Sequence, residues 1–307
     1  MEKHDVIIVG GGPAGLTAGL YAARSRMDIL LLEKLTPGGQ VLTTAMVENY
    51  PGFEEAISGS DLVAKMEKQA RGFGLQVEIK SVEKIAQEGS LKKMIADGEE
   101  YLSKAVIVAT GVEPKLLGIP GEKELRGKGV SYCATCDGPF FRDKEVVVIG
   151  GGDSAVEEAI YLTRFAKRVR LIHRRDQLRA AKIVQERAFS NEKVEVVWDT
   201  VATRINGEQF VQSVDVKNVK TGREDNVETS GIFLYVGVKP NSDLFDFKID
   251  ADQRGFLRTD ENMRTSVEGI YAVGDVRSKQ LRQIVTATGE GATAAFAVQK
   301  YLEDLTP

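Results

Sequence analysis

Asp5-Val6-Ile7-Ile8-Val9-Gly10-Gly11-Gly12-Pro13-Ala14-Gly15 opens this 307-residue chain almost at once and points to its architecture. A short β-branched run ending in glycines predicts a strand and a tight turn. The alanine-rich stretch from Leu16 to Arg26 predicts a helix, and the apolar run from Ile29 to Leu32, closing on Glu33, predicts a second strand. In such a unit Gly10, Gly12 and Gly15 serve three purposes: the turn, close approach of backbone to a pyrophosphate, and tight packing of helix on strand. The helix N-terminus then faces the phosphates. A glycine fingerprint alone is a weak sign, but here a strand precedes it, a helix follows, and an acidic residue stands about 20 positions on.

The same plan returns further along. Glu145-Val146-Val147-Val148-Ile149 leads into Gly150-Gly151-Gly152-Asp153-Ser154-Ala155, a helix through about Phe165, and a strand from Val169 to Ile172. The offset that reaches Glu33 from Gly10 reaches His173 from Gly150. Glu33 suits a free ribose diol, which donates hydrogen bonds to a carboxylate, and would repel a 2′-phosphate. The second unit instead offers His173-Arg174-Arg175 and then Arg179, and guanidinium groups bind phosphate through charge-assisted, often bidentate bonds. The first site therefore reads as one for FAD or another unphosphorylated dinucleotide, the second as one for NADPH. A solvated basic helix start is the other reading of the arginines.

The chain has two cysteines, three apart, in Cys133-Ala134-Thr135-Cys136, with Asp137 next. Thiols at this spacing close a small disulfide ring and cycle readily between oxidised and reduced forms. A zinc half-site or two buried thiols are the alternatives; zinc wants four ligands, and the other soft candidates, His4 and His173, are placed elsewhere by the pattern.

Both units continue alike. Residues 88 to 104 alternate around Asp97-Gly98 and lead to Ala105-Val106-Ile107-Val108-Ala109-Thr110-Gly111; residues 211 to 230 alternate around Thr221-Gly222 and lead to Gly231-Ile232-Phe233-Leu234-Tyr235. After Asn241 no third fingerprint opens. The tail gives Gly269-Ile270-Tyr271-Ala272-Val273-Gly274-Asp275 and a small-residue helix from Ala287 to Ala297. The fold class expected is α/β, with two Rossmann-like, three-layer dinucleotide-binding domains. The tail returns to the first, which makes that domain discontinuous: residues 1–113 plus 243–307 for the flavin, 114–242 for NADPH and the cysteine pair. The crossings are expected near Glu113-Pro114 and Lys239-Pro240, where proline stiffens the chain.

Composition narrows the field. Forty-five acidic against forty-one basic side chains leave a formal charge of −4, so no global field favours nucleic acid or an anionic membrane. The apolar runs are far shorter than the roughly 20 residues of a membrane helix, and the start lacks the regions of a secretory signal. A cytoplasmic location is expected, where a cysteine pair is more often catalytic than structural.

Taken together, GGGPAGLTA (10–18), GGQ (38–40), VENYPGF (47–53), ATG (109–111), CATCDG (133–138), GGGDSAVEEA (150–159), HRR with Arg179, GVKPN (237–241) and YAVGD with RQIVTATGEG (271–291) resemble the low-molecular-weight thioredoxin reductases of bacteria and archaea. The resemblance covers essentially the whole chain. A dithiol in the pyridine-nucleotide domain separates this family from the larger glutathione-reductase-like enzymes.

The resemblance implies a homodimer that uses FAD and NADPH to reduce the disulfide of thioredoxin. It assigns Gly10, Gly12, Pro13, Ala14, Gly15 and Glu33 to FAD, together with Gly39, Gln40, Asn49, Ala109, Thr110, Gly111, Gly274, Asp275, Arg282, Gln283 and Ile284. Gly150, Gly152, Asp153, Ser154, Ala155, His173, Arg174, Arg175 and Arg179 fall to NADPH. Cys133 and Cys136 form the redox pair, Cys136 nearer the flavin, and Asp137 is the candidate acid, with a turn-forming aspartate as its plainer reading. Asn49 and Gln283 also read as turn or surface amides. Phe140-Phe141 and Arg126 are candidate thioredoxin contacts, although core packing explains a phenylalanine pair equally well. Nicotinamide and dithiol, both in the second domain, must reach one flavin in turn, which calls for rotation about the two crossings. The competing readings are a related flavoprotein serving a glutaredoxin-like or peroxiredoxin-linked acceptor, and a redox sensor without turnover.

Overall fold

The computed structural model describes residues 2–44 and 46–305. The first stretch of chain gives β1 (Glu2–Val9), α1 (Pro13–Arg24), β2 (Ile29–Glu33), α2 (Gly59–Gly72), β3 (Gln76–Ile79), β4 (Val82–Glu88), β5 (Leu91–Ala96), β6 (Glu99–Val108) and β7 (Val112–Pro114). The middle stretch gives β8 (Val130–Ser131), α3 (Ala134–Asp137), β9 (Glu145–Gly150), α4 (Asp153–Leu162), β10 (Arg168–Ile172), α5 (Lys182–Phe189), β11 (Val194–Val197), β12 (Thr200–Gly207), β13 (Val211–Asn218), β14 (Glu224–Glu228), β15 (Gly231–Tyr235) and β16 (Val238–Pro240). The tail adds β17 (Ile270–Ala272) and α6 (Ile284–Asp304).

The chain divides into two compact units, Met1–Glu113 with Lys239–Pro307, and Pro114–Val238. In the first, β3, β2, β1 and β6 lie parallel, with β17 on the far side of the second half of β6 in the register Ile270↔Val106. The first half of β6 pairs antiparallel with β5, and β5 with β4. Strand period sorts the core into two layers. Val6, Ile8, Ala105 and Ile107 lie under the helices with Leu16, Ala18 and Ala294; Ile7, Val9, Val106 and Val108 face the other way, with Ile85, Met94 and Leu257. At Gly291 of α6 an added Cβ would overlap the carbonyl of Ala14, so the small residues there set how close α6 lies to α1.

The second unit repeats this plan with its own core. Strands β11, β10, β9, β15 and β8 form a parallel sheet, and β12, β13 and β14 an antiparallel one. Val146, Val148 and Phe233 pack beneath α4 with Ala155, Val156 and Leu162, while Val147, Ile149 and Ile232 meet Val211, Val214 and Val216 of β13. Each burial of this kind contributes about 1.5–3 kcal/mol.

Three helix boundaries differ from expectation. α4 stops at Leu162, because the amides of Thr163, Arg164 and Phe165 turn back tightly onto Ile160, Tyr161 and Leu162. α6 starts at Ile284 and runs to Asp304, because Gln283 and Thr286 cap it reciprocally. α1 starts at Pro13, whose missing amide suits a first helical position. The second crossing lies at Val238–Lys239, beside the expected Lys239-Pro240; the Asn241 amide donates to Gly111 O at 3.1 Å, and Ser242 Oγ to Gly255 O at 2.7 Å, tying both residues into the first unit.

Candidate functional site

In the first unit the fingerprint turn is built as its glycines require. Gly10 has φ +105°, and a Cβ there would press on the Ala109 carbonyl. Gly12 faces open space. Glu33, at the end of β2, is buried and accepts from the Gly11 amide through Oε2 at 2.6 Å and from the Leu35 amide through Oε1 at 3.1 Å.

Sequence-distant residues converge on that turn. Gly38 N donates to Gly11 O at 2.7 Å, and a Cβ on Gly39 would sit 3.3 Å from Gly12 Cα. From the tail, a Cβ on Gly274 would lie 3.0 Å from the Ala14 Cβ, which places Asp275 beside the start of α1. Gln40 Nε2 donates to the Val112 carbonyl. Asn49 Nδ2 donates to Gln283 Oε1 at 3.2 Å, beside Ile284 at the start of α6. Thr110 Oγ1 donates to Asn241 O at 2.6 Å, and Asn241 Nδ2 returns a bond of 2.9 Å to the Thr110 carbonyl. Asp275 Oδ1 is buried without a hydrogen-bond partner among the described residues, and burial pushes its carboxyl up against the pull of Lys279 and Arg282. Arg282 is a brace: it donates to the Asp275, Lys279 and Arg277 carbonyls at 3.4, 3.1 and 3.0 Å. Open room at Gly12, a helix N-terminus beside it, a buried carboxylate at β2 and a spare acceptor at Asp275 fit a flavin dinucleotide.

Sequence reasoning singled out neither Asn241 nor Glu290. Glu290 Oε2 accepts from the Gly274 amide at 2.7 Å. Both lie within quoted motifs, but only three-dimensional pairing across the chain gives them a partner.

The second unit forms a parallel site. A Cβ on Gly150 would meet the Ala155 Cβ and the Tyr235 carbonyl, while Gly152, like Gly12, faces open space. Asp153 Oδ1 accepts from the Ala181 amide at 2.7 Å, and the Arg179 amide donates to Gly151 O at 2.7 Å, drawing the loop after β10 over the fingerprint beside Ser154. His173 is buried against Gly151; burial first, and then Arg179 and Arg175, lower its pKa, so the ring is neutral. Arg174, Arg175 and Arg179 are exposed and have no ion-pair partner among the described residues. Open room at Gly152 and three free guanidinium groups fit a phosphorylated nucleotide.

Cys133 and Cys136 are joined by a disulfide, with Cα atoms 5.4 Å apart. That bond removes the zinc reading. Cys133 caps α3 and is half-buried, whereas Cys136 is exposed. Ser131 Oγ accepts from the Cys133 amide at 3.0 Å, and the Tyr235 hydroxyl from the Ala134 amide at 3.0 Å. Asp137, half-buried, donates its amide to Cys133 O at 3.2 Å. Nearby on α4, Glu158 has a buried oxygen without a partner among the described residues, and burial followed by the Glu157 charge raises its pKa to about 7. The phenylalanine pair splits: Phe141 is buried edge-on to Phe233 at 5.3 Å, and Phe140 is 74 % exposed. Arg126, also exposed, lies over the Tyr132 ring at 5.2 Å.

Two nucleotide folds and a surface disulfide in one chain match a known family. The pyridine nucleotide-disulphide oxidoreductase profile matches residues 4–291. A thioredoxin reductase of Peptoclostridium litorale is 50% identical over 310 residues, covering 98% of each chain. Among solved structures, Lactococcus lactis thioredoxin reductase in its FR conformation superposes with a TM-score of 0.96 at 50% identity, covering 98% of this chain and 99% of that one. The T. acidophilum thioredoxin reductase follows with 0.94 at 35% identity, covering both chains fully at 100%. The chain belongs to the thioredoxin reductases of the pyridine nucleotide-disulphide oxidoreductase family. No described helix is long and apolar enough to cross a membrane.

Proposed function

We propose that this chain is an FAD-containing, NADPH-dependent reductase of thioredoxin that works as a cytoplasmic homodimer. One observation carries the reading: the Cys133–Cys136 disulfide sits in the same unit as the Gly150 fingerprint and the three free guanidinium groups, while the Glu33 fingerprint is in the other unit. When bound, FAD accepts hydride from NADPH and supplies two electrons to the disulfide.

Gly10, Gly12, Pro13, Ala14, Gly15 and Glu33 hold the adenosine half of FAD, and Gly39, Gln40, Asn49, Asp275 and Gln283 the flavin half. Ala109, Thr110, Gly111, Gly274 and Ile284 line it through backbone, and Arg282 braces the loop carrying Asp275. Gly150, Gly152, Asp153, Ser154 and Ala155 cradle the NADPH pyrophosphate. Arg174, Arg175 and Arg179 take its 2′-phosphate, beside a His173 whose pKa burial lowers.

On reduction the S–S bond opens to one thiolate and one thiol. The thiolate attacks the thioredoxin disulfide, and the second sulfur resolves the mixed disulfide, releasing reduced thioredoxin and restoring the Cys133–Cys136 bond. The exposure of Cys136 supports attack from that sulfur. Asp137 protonates the departing thiolate. Phe140 and Arg126, both exposed near the disulfide, support docking of the partner there. The nucleotide site and the dithiol serve the flavin in turn, by rotation of the second unit about β7 and β16. A cytoplasmic setting agrees with a cysteine pair that must be reduced again at every turnover.

The test is NADPH oxidation coupled to thioredoxin, with a glutaredoxin-like protein and a peroxiredoxin as parallel acceptors. Turnover with thioredoxin at least tenfold above the others is expected; preference for another acceptor overturns the assignment.

A further inference from the structure

Asp275 stands at one end of a chain of half-buried charges. Its Oδ1 lies 3.4 Å from Lys279 Nζ. Lys279, its side chain only 10% exposed, is gripped by Glu290, 3.2 Å from each carboxylate oxygen. Glu290 also pairs with Arg277 Nη1 at 2.8 Å and accepts from the Gly274 amide at 2.7 Å. Arg277 is fixed in turn by Thr259 Oγ1 at 2.7 Å. Two cations and two anions balance, and Glu290 on α6 clamps both ends of the turn that carries Asp275.

The distances divide the work. Lys279 is hydrogen-bonded to Glu290, yet Asp275 Oδ1 stays without a hydrogen bond among the described residues. The ammonium thus lends Asp275 its charge through a long ion pair that leaves acceptor capacity on the carboxylate. Buried ion clusters contribute little net stability once desolvation is counted, and their attested use is to fix geometry. A carboxylate with a spare lone pair, held by a neighbouring cation, is arranged to accept a hydrogen bond from a ligand hydroxyl.

We propose that Lys279, anchored by Glu290, is a positioning residue that holds the Asp275 carboxylate for a hydroxyl of the flavin's polyol chain. The inference rests on the reading of Asp275 as a flavin ligand. The charged groups facing Asp275 are Lys279 and Arg282 from its own loop and Glu290 from α6. Burial pushes the Asp275 carboxyl up while Lys279 and Arg282 hold it down, so removing Lys279 moves its titration to higher pH. The neutral acid accepts a weaker hydrogen bond, and the deficit of a Lys279 variant grows as pH falls.

The experiment strips flavin from the full-length chain and titrates FAD back by fluorescence quenching between about pH 5.5 and 8.5, for wild type, D275N, K279M, E290Q and D275N/K279M. Weakening by K279M of about tenfold at neutral pH is expected, increasing toward acid, with E290Q weaker than wild type in the same direction. In the D275N background K279M is expected to cost nothing further. Thermal unfolding of each apoprotein checks folding, and if K279M does not fold, K279Q and E290Q carry the test. Wild-type affinity in the Lys279 and Glu290 variants, a deficit independent of pH, or a full additional loss on top of D275N overturns the inference. If D275N binds FAD normally, the flavin reading of Asp275 falls with it; if D275N binds weakly while K279M binds normally, only the positioning role falls.

Discussion

Glu33 accepts a 2.6 Å hydrogen bond from the backbone amide of Gly11, so the last residue of β2 is locked onto the middle glycine of its fingerprint. His173 makes the matching arrangement in the second unit, its ring against Gly151 where a Cβ would collide with it. The two units thus share one geometry and differ in the charge offered there. The carboxylate suits a free ribose diol; the neutral imidazole leaves phosphate recognition to the arginines around it.

Replacing that arginine group should therefore change coenzyme choice and leave flavin affinity alone. For R174Q/R175Q the KM for NADPH is expected to rise about 10–100-fold, the value of one or two charge-assisted hydrogen bonds, while the KM for NADH stays within about twofold. Steady-state kinetics with both coenzymes checks it, and an equal rise for both would point to a structural role.

The phenylalanines should separate cleanly. F140A removes an exposed ring and is expected to raise the KM for thioredoxin with unchanged thermal stability. F141A empties a core position against Phe233 and is expected to cost about 3–5 kcal/mol in denaturant unfolding.

Much of this was legible in the chain. Asp97 and Gly98 both adopt positive φ, 47° and 79°, and close the β5–β6 hairpin that alternation announced. The repeated fingerprints announced the repeated sheets. What pattern does not carry is long-range side-chain pairing: Asn49 with Gln283, Tyr235 with Ala134, and Glu290 with Gly274 each join residues with no shared local period. The start of α6 was hidden for a similar reason, since Gln283 caps it through a glutamine–threonine exchange outside the commoner cap residues.

Glu158 gives the stability a pH signature. Its folded pKa is about 7 against an ordinary 4.5, so between those values the folded chain binds the proton more tightly than the unfolded one. Stability therefore falls as pH rises through that window, and above it the cost is about 3 kcal/mol. E158Q is expected to be more stable than wild type at about pH 8 and equal to it at about pH 4. Urea unfolding at both values measures this, and a gain at the acid value instead would contradict a raised pKa for Glu158.

Rotation of the second unit is testable by restraint. A crosslink that locks the two units in any one orientation is expected to abolish NADPH-to-thioredoxin turnover, with activity restored on cleaving the link. Undiminished turnover in a fully crosslinked sample would refute alternation.

The most direct measurement is an anaerobic titration of the FAD-loaded chain with NADPH, recording flavin absorbance and then counting thiols. Wiring from NADPH through FAD to the disulfide predicts that NADPH bleaches the flavin, that two new thiols appear per chain, and that in C133S/C136S bleaching persists without them. A flavin that NADPH leaves oxidised, or that bleaches while Cys133 and Cys136 stay bonded in the unmodified chain, would contradict it.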